Sequence, residues 1–241
     1  MTVRIAMWSC SRNVSTATMR AWGSRPDTRV VDEPLYAPWL LLTGATHPMR
    51  RDIIAQHESD WRRVVADLCS PIGAPILYEK HISKHLLPEM DRAWLSSHRH
   101  AFLTRHPHPM LLSFQHKLEH VTVEETGLPQ QQELWQWLRD ELGVEAPVVD
   151  ARDLLTDPAG VLEQLCVALD VAWEPAMLSW KPGLRATDGV WAPHWYDAVE
   201  TSTGFRPWHQ KQGTLNVDLQ AIHDACLPAW EFLHARRIRA R

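Results

Sequence analysis

Lysine is scarce in this chain. Among 241 residues there are five, Lys80, Lys84, Lys117, Lys181 and Lys211, and none lies in the first 79. A Walker A loop after the first predicted strand is therefore excluded, because that motif ends in Gly-Lys-Ser/Thr. Glycine is sparse as well, with 10 residues, the first at Gly23. The four cysteines, Cys10, Cys69, Cys166 and Cys226, contain no Cys-x-x-Cys pair. Neither a zinc knot nor a disulfide framework is predicted, and reduced thiols in a cytoplasmic protein are the expectation. No apolar run approaches the roughly 18 residues needed to span a bilayer. The start, MTVRIAMWSCSR, lacks the apolar core and cleavage site of a signal peptide. An excess of positive charge is missing too. Lys+Arg number 25 against 29 Asp+Glu, a net charge of −4. That argues against a nucleic-acid partner, and no membrane partner is expected.

What is present is a globular composition, 45% hydrophobic and 22% charged, with too much apolar content for a disordered chain. Residues Val3–Trp8, Thr28–Asp32, Pro75–Glu79, His100–Thr104 and Pro147–Val149 read as short buried strands. Helical patterns alternate with them. One follows the first strand, capped by Asn13 or Ser15 and ended at Gly23. Others cover Leu35–Thr43, Ile53–Cys69, Gln130–Leu142, the stretch from Asp157-Pro158 to Leu169, and Val217–Arg236. This alternation predicts one α/β domain over residues 1–241, a parallel sheet of four or five strands flanked by helices. Residues 173–213 are rich in Trp, Pro and Gly and read as a long irregular cap.

Three segments at the carboxyl ends of predicted strands carry candidate chemistry, since ligands of open α/β sheets bind on that edge. The first is Ser11, Arg12, Asn13, Val14, Ser15 and Thr16. It joins one cation and three hydroxyls to a helix start, whose free N–H groups and dipole favour a phosphate-like anion. The second is Thr104–Phe114, TRHPHPMLLSF. Arg105 can fork onto a phosphate, and Ser113 adds a hydroxyl eight residues later. The third is Tyr78–Pro88, YEKHISKHLLP. It places Lys80, His81, Lys84 and His85 after the third strand, where a neutral His can act as a general base.

Together these segments resemble the sulfotransferases that use 3′-phosphoadenosine-5′-phosphosulfate (PAPS). CSRNVST, Cys10–Thr16, is similar to the family's Pro-Lys/Arg-Ser-Gly-Thr-Thr loop for the 5′-phosphosulfate. Arg12 matches the cation, and Ser15 and Thr16 match the hydroxyl pair, while the Pro and Gly are missing. Arg105 and Ser113 keep the interval of the 3′-phosphate motif. KHISKHLLP resembles Lys-Thr-His-Leu-Pro-x-x-Leu-Leu-Pro, with His81 seven residues before Pro88. ARDLLTDP is similar to Tyr-Glu-Asp-Leu-x-x-Asp-Pro, and Arg185-x-x-x-Gly189-x-Trp191 to the C-terminal loop over the 3′-phosphate. Lys211-Gln212-Gly213 is a second candidate for that loop. The likeness is greatest to bacterial single-domain members, with VVDEPLYAPWLL after the second strand.

The resemblance implies a P-loop-like nucleotide-binding fold and sulfonate transfer from PAPS to a hydroxyl or amine of a small or carrier-bound acceptor, without a metal. It implies His81 or Glu33 as the base, Arg12 as a charge stabiliser, and Ser11–Thr16, Arg105, Ser113 and Arg185 as the donor site. Glu33, Tyr36, Lys80, His85, Trp191 and Trp195 are the candidate acceptor contacts.

Other readings compete. HKLEH, His116–His120, matches His-x-x-Glu-His, in which His116 and His120 would hold zinc and Glu119 would activate water. No third ligand accompanies it. A pyridoxal-phosphate enzyme needs a Schiff-base lysine, for which Lys80 is the candidate. A nucleotide-binding protein of the same fold that has lost its base is the remaining alternative. Among the 13 tryptophans, Trp191, Trp195 and Trp208 fall in the irregular stretch, where an aromatic loop suits an acceptor pocket.

Overall fold

The computed structural model describes residues 2–115 and 121–239. Strands β1 (Val3–Ser9), β2 (Thr28–Asp32), β3 (Ile76–Ile82), β4 (Arg99–Thr104) and β5 (Val148–Asp150) form one sheet. Its order is β2-β3-β1-β4-β5 and every pairing is parallel. The helices are α1 (Ser15–Gly23), α2 (Tyr36–Thr43), α3 (Arg50–Gln56), α4 (Trp61–Cys69), α5 (Pro107–Phe114), α6 (Val123–Thr126), α7 (Leu128–Leu142), α8 (Ala151–Thr156), α9 (Pro158–Ala168), α10 (Ala192–Trp195), α11 (Asp197–Glu200) and α12 (Val217–His234).

The central strand shows why the sheet is covered on both faces. Ile5, Met7, Tyr78 and Leu103 meet Met19 and Trp22 of α1 and Leu162 and Leu165 of α9 in one apolar layer. Ala6, Trp8 and Phe102 point the other way, onto Leu134, Trp135 and Leu138 of α7 and Leu233 of α12. Successive side chains of a strand alternate between faces, so a continuous apolar run is what a doubly covered strand requires.

The differences from the predicted elements are local. The stretch Ile53–Cys69 holds two helices, not one. The chain is extended at Asp60, whose carboxylate accepts the Arg62 N–H at 3.0 Å and starts α4. Helix α1 has no side-chain cap. Asn13 instead donates to the Leu103 carbonyl at 2.7 Å, tying the loop to β4. Strand β3 runs three residues beyond the predicted end, which moves Lys80 and His81 inside it. Residues 173–213 hold a 3₁₀ turn at Pro175–Leu178 and the short helices α10 and α11.

His116, Glu119 and His120 lie outside the described residues. Among the described residues no three His, Cys, Asp or Glu side chains are grouped to hold a metal. No described helix is long and apolar enough to cross a membrane.

Candidate active site

The chain leaves β1 towards β2 and β3 on one side and reaches β4 and β5 on the other. The crevice at the carboxyl end of β1, where the order reverses, is where such sheets bind ligands. A cleft of about 370 Å³ opens there.

The loop after β1 forms one wall. Arg12 has φ 49°, a left-handed backbone that a side chain adopts only against steric cost. That turn is held from several directions. Arg105, at the end of β4, donates to the Arg12 carbonyl at 2.6 Å. Arg12 Nε donates to Ser113 Oγ at 3.1 Å, and the Ser11 N–H donates to the Thr126 carbonyl at 2.8 Å. The two predicted anion segments are thus interlocked. Val14, where the resembling motif has Gly, has φ −90°, which any residue adopts, so the missing glycine leaves no strain. Ser15 and Thr16 open α1, and all of Ser11–Thr16 line the cleft with Arg105 and Ser113. Burial, and then the neighbouring Arg105, lower the Arg12 pKa. Burial lowers that of Arg105. Two guanidiniums that disfavour each other beside open N–H groups make a site for an anion.

The opposite wall begins after β2. Glu33 also has a left-handed backbone, φ 41°, and its N–H donates to the Lys80 carbonyl at 2.8 Å. Lys80 is fully buried. Its ammonium donates to Asp32 at 2.9 Å, to Glu33 at 2.6 Å and to the Tyr196 hydroxyl at 2.6 Å. Tyr196 donates to Asp32 at 2.6 Å and accepts from Trp191 at 3.0 Å. Burial works against the ammonium, but Asp32 and Glu33 outweigh it and hold the Lys80 pKa well above the ordinary value. A lysine so charged and so engaged is not available as a Schiff-base amine. Burial, with Asp32 adding to it, raises the Glu33 pKa against the opposing pull of Lys80.

Beyond the end of β3, Lys84 pairs with Glu125 through a short charged hydrogen bond. His47 Nε2 lies 3.2 Å from the same carboxylate, and His47 Nδ1 lies 2.7 Å from the Tyr36 hydroxyl. The Tyr36 ring stacks on His85 with centroids 4.6 Å apart. Burial and then Lys84 push the His85 pKa well below its ordinary value, so the ring is neutral.

Most of the predicted site residues therefore share one cleft: Ser11–Thr16, Glu33, Tyr36, Lys80, His85, Arg105, Ser113 and Trp195. Three do not. His81 faces away from it. In the register of β3 it sits opposite Trp8, stacked on that ring at 4.3 Å, with Nε2 3.0 Å from Glu79. Because β3 continues past Glu79, alternation puts Lys80 and His81 on opposite faces, and only Lys80 reaches the cleft. Trp191 is buried in the apolar cluster around α2 rather than in the wall. Arg185 donates to the Lys181 carbonyl on the surface of the cap, apart from the cleft. Lys211, the second loop candidate, and Arg206 line the cleft instead. His47, Glu125 and Arg206 carried no sequence signal, since each reaches the site from an element whose local pattern is unremarkable. Asp32 was visible only as a strand end.

A family model described as "Sulfotransferase domain" matches residues 3–237. Branched-chain-amino-acid aminotransferase-like protein 1 of Arabidopsis thaliana is 35% identical over 232 residues, covering 96% of this chain. Protein 2 of the same name and organism is 33% identical over 230 residues, covering 95%. The chain spans 41% of the length of each of these curated relatives. Among solved structures, the sulfotransferase of Alicyclobacillus acidocaldarius superposes with TM-score 0.56 at 10% identity, covering 99% of this chain and 98% of that one. The sulfotransferase domain from the curacin biosynthetic pathway superposes with TM-score 0.53 at 15% identity, covering 93% and 97%. At those identities the likeness is one of fold.

Proposed function

The chain belongs to the sulfotransferase-domain family, and from that premise we propose that it transfers a sulfonate group from PAPS to a hydroxyl or amine of a small or carrier-bound acceptor. The observation that carries the reading is the interlocked anion wall. Arg12, Ser15, Thr16, Arg105 and Ser113 line one cleft with the start of α1, and no Walker lysine is present. That donor set fits an adenosine carrying anions at both its 5′ and 3′ positions. Arg12, the hydroxyls and the α1 N–H groups would hold the 5′-phosphosulfate. Arg105 and Ser113, with Arg206 and Lys211, would hold the 3′-phosphate. When bound, PAPS supplies an activated sulfonate and a good leaving group.

The chain's own contribution is positioning and charge. Arg12 and the α1 N–H groups oppose the negative charge that grows on the leaving phosphate oxygen. Their turn is fixed before the ligand arrives by the Arg105 and Ser113 hydrogen bonds, so little reorganisation is needed during reaction. Glu33 takes the acceptor's proton. Its raised pKa makes it a stronger base than an exposed carboxylate, while Lys80 opposes that rise and aims the carboxylate. His81, buried on the other face, has no access to an acceptor in the cleft.

The test is a pair of measurements on the purified chain. Thermal shift should rise with 3′,5′-ADP and respond little to magnesium ATP. At 100 times Kd, a ligand bound only by the folded state adds about 2.7 kcal/mol. Radiolabelled sulfonate should then move from PAPS to a member of an alcohol and amine panel. Magnesium-dependent ATP binding with hydrolysis, and no response to 3′,5′-ADP, would refute the reading.

A further inference from the structure

We propose that the acceptor is a hydroxylated amine, with its hydroxyl seated at Glu33 and its ammonium at Glu125. This rests on the sulfonate-transfer reading above and adds the chemical class of the second substrate.

The first ground is how charge is laid out along the sheet. Arg12 and Arg105 follow β1 and β4. Glu33, Lys84 and His85 follow β2 and β3, on the other side of the sheet order. In the Lys80–Glu33 and Lys84–Glu125 pairs the carboxylate is the better exposed member. Glu33 retains 11% and Glu125 17%, while Lys80 lies behind Glu33 at 1% and Lys84 beside Glu125 at 6%. Three carboxylates, Asp32, Glu33 and Glu125, stand against two ammoniums, Lys80 and Lys84, so the pairing leaves carboxylate charge for a ligand to meet. A cationic group on the acceptor meets it. A carboxylate on the acceptor would face Glu33 and Glu125 with both lysines already engaged.

The second ground is independent of charge. His85 is 2% exposed and lines the cleft, yet its Nδ1 has no hydrogen-bond partner. Buried polar atoms are rarely left so, because the lost hydration is not replaced. Nδ1 stands 3.8 Å from Glu33 Oε2, beyond a hydrogen bond. One hydroxyl can satisfy both groups, donating its proton to Glu33 and accepting from Nδ1–H. That seats the reacting oxygen beside the base. The oxygen then forms its bond to sulfur as the bond from sulfur to the 5′-phosphate oxygen breaks. The hydroxyl proton passes to Glu33, 3′,5′-ADP leaves, and the ammonium is unchanged.

The experiment is calorimetric titration, at pH 7, of the protein saturated with 3′,5′-ADP. The probes are tyramine and 3-amino-1-propanol, each against its N-acetyl derivative, which keeps the hydroxyl and loses the charge. At least one ammonium probe should bind roughly tenfold or more tighter than its N-acetyl form, the size of one charge-assisted hydrogen bond. Glu125→Gln should erase most of that gap and leave 3′,5′-ADP affinity unchanged. Equal or tighter binding by the N-acetyl forms overturns the proposal. So does a failure of both ammonium probes to bind the loaded protein, or a gap that survives in Glu125→Gln. The wild-type comparison stands even if the variant does not fold. Failure of 3′,5′-ADP itself to bind would instead strike the sulfonate-transfer reading, and this inference would fall with it.

Discussion

Replacing Lys80 by Met removes the ammonium 2.6 Å from Glu33 and 2.9 Å from Asp32 while keeping a side chain of similar length. An opposite charge at such distances lowers a carboxylate's pKa by about 1–3 units, and each unit corresponds to about 1.4 kcal/mol. Burial already raises the Glu33 pKa, and the substitution takes away the group that opposes it. The acid limb of kcat/KM against pH should therefore move up by about one to three pH units, and activity should recover when the pH is raised by that amount. Stability moves with it, and the sign follows from proton binding. The folded protein holds the Glu33 proton more tightly than the unfolded chain, so this group favours the fold most below the ordinary Glu range. That stability is lost as pH rises through the folded-state value. In Lys80→Met the loss should extend to higher pH, on top of about 3–5 kcal/mol for leaving buried carboxylates unpaired. The assay is a pH–rate series on both proteins with melting temperatures at each pH. An acid limb that stays in place in a folded, active variant refutes the role of Lys80 as the group that ionises Glu33.

Glu33→Gln should lose about 10²–10⁴ in turnover while binding 3′,5′-ADP normally, as expected for removal of a general base; near-normal turnover would remove Glu33 from the mechanism. His81→Ala should instead cost stability, about 1–3 kcal/mol from leaving one Glu79 oxygen without its partner, seen as a lower Tm with kcat retained. A fall of about 100-fold in kcat at unchanged Tm would restore His81 as the base. Arg105→Ala should weaken 3′,5′-ADP by about 10–150-fold, the loss of a charged hydrogen bond of about 1.5–3 kcal/mol. The loss for 5′-AMP should be smaller in calorimetry, though not zero, because Arg105 also braces the Arg12 carbonyl. Equal losses would mean that Arg105 acts only through the loop. Lys211→Ala should reduce 3′,5′-ADP affinity and Arg185→Ala should not; the reverse result would put the cap segment 181–191 over the 3′-phosphate after all.

Much of the fold is legible along the chain. Continuous apolar runs such as IAMW mark strands buried on both faces, and Gly23 and Gly143 mark where α1 and α7 stop. Asp157-Pro158 marks where α9 starts, with the Asp157 carboxylate accepting the Gly160 N–H. These signals are local, carried by residues within a few positions of one another. The anion wall is legible for the same reason, since loop and helix start are contiguous in Ser11–Thr16. The base was not. His81 has the right spacing to Pro88, but spacing does not say where a strand ends. Three more residues of β3 turned His81 onto Trp8 and Lys80 into the cleft, because each added residue of a strand reverses the face. The partners of Lys80 are Asp32 and Glu33, 48 and 47 positions away, and Tyr196, 116 away. Glu125 meets Lys84 and His47 across 41 and 78 positions. No pattern in a single chain encodes those distances. They were decided when parallel crossovers brought the ends of β2 and β3 and the cap to one edge of the sheet, where desolvation forces each buried charge to find its partner.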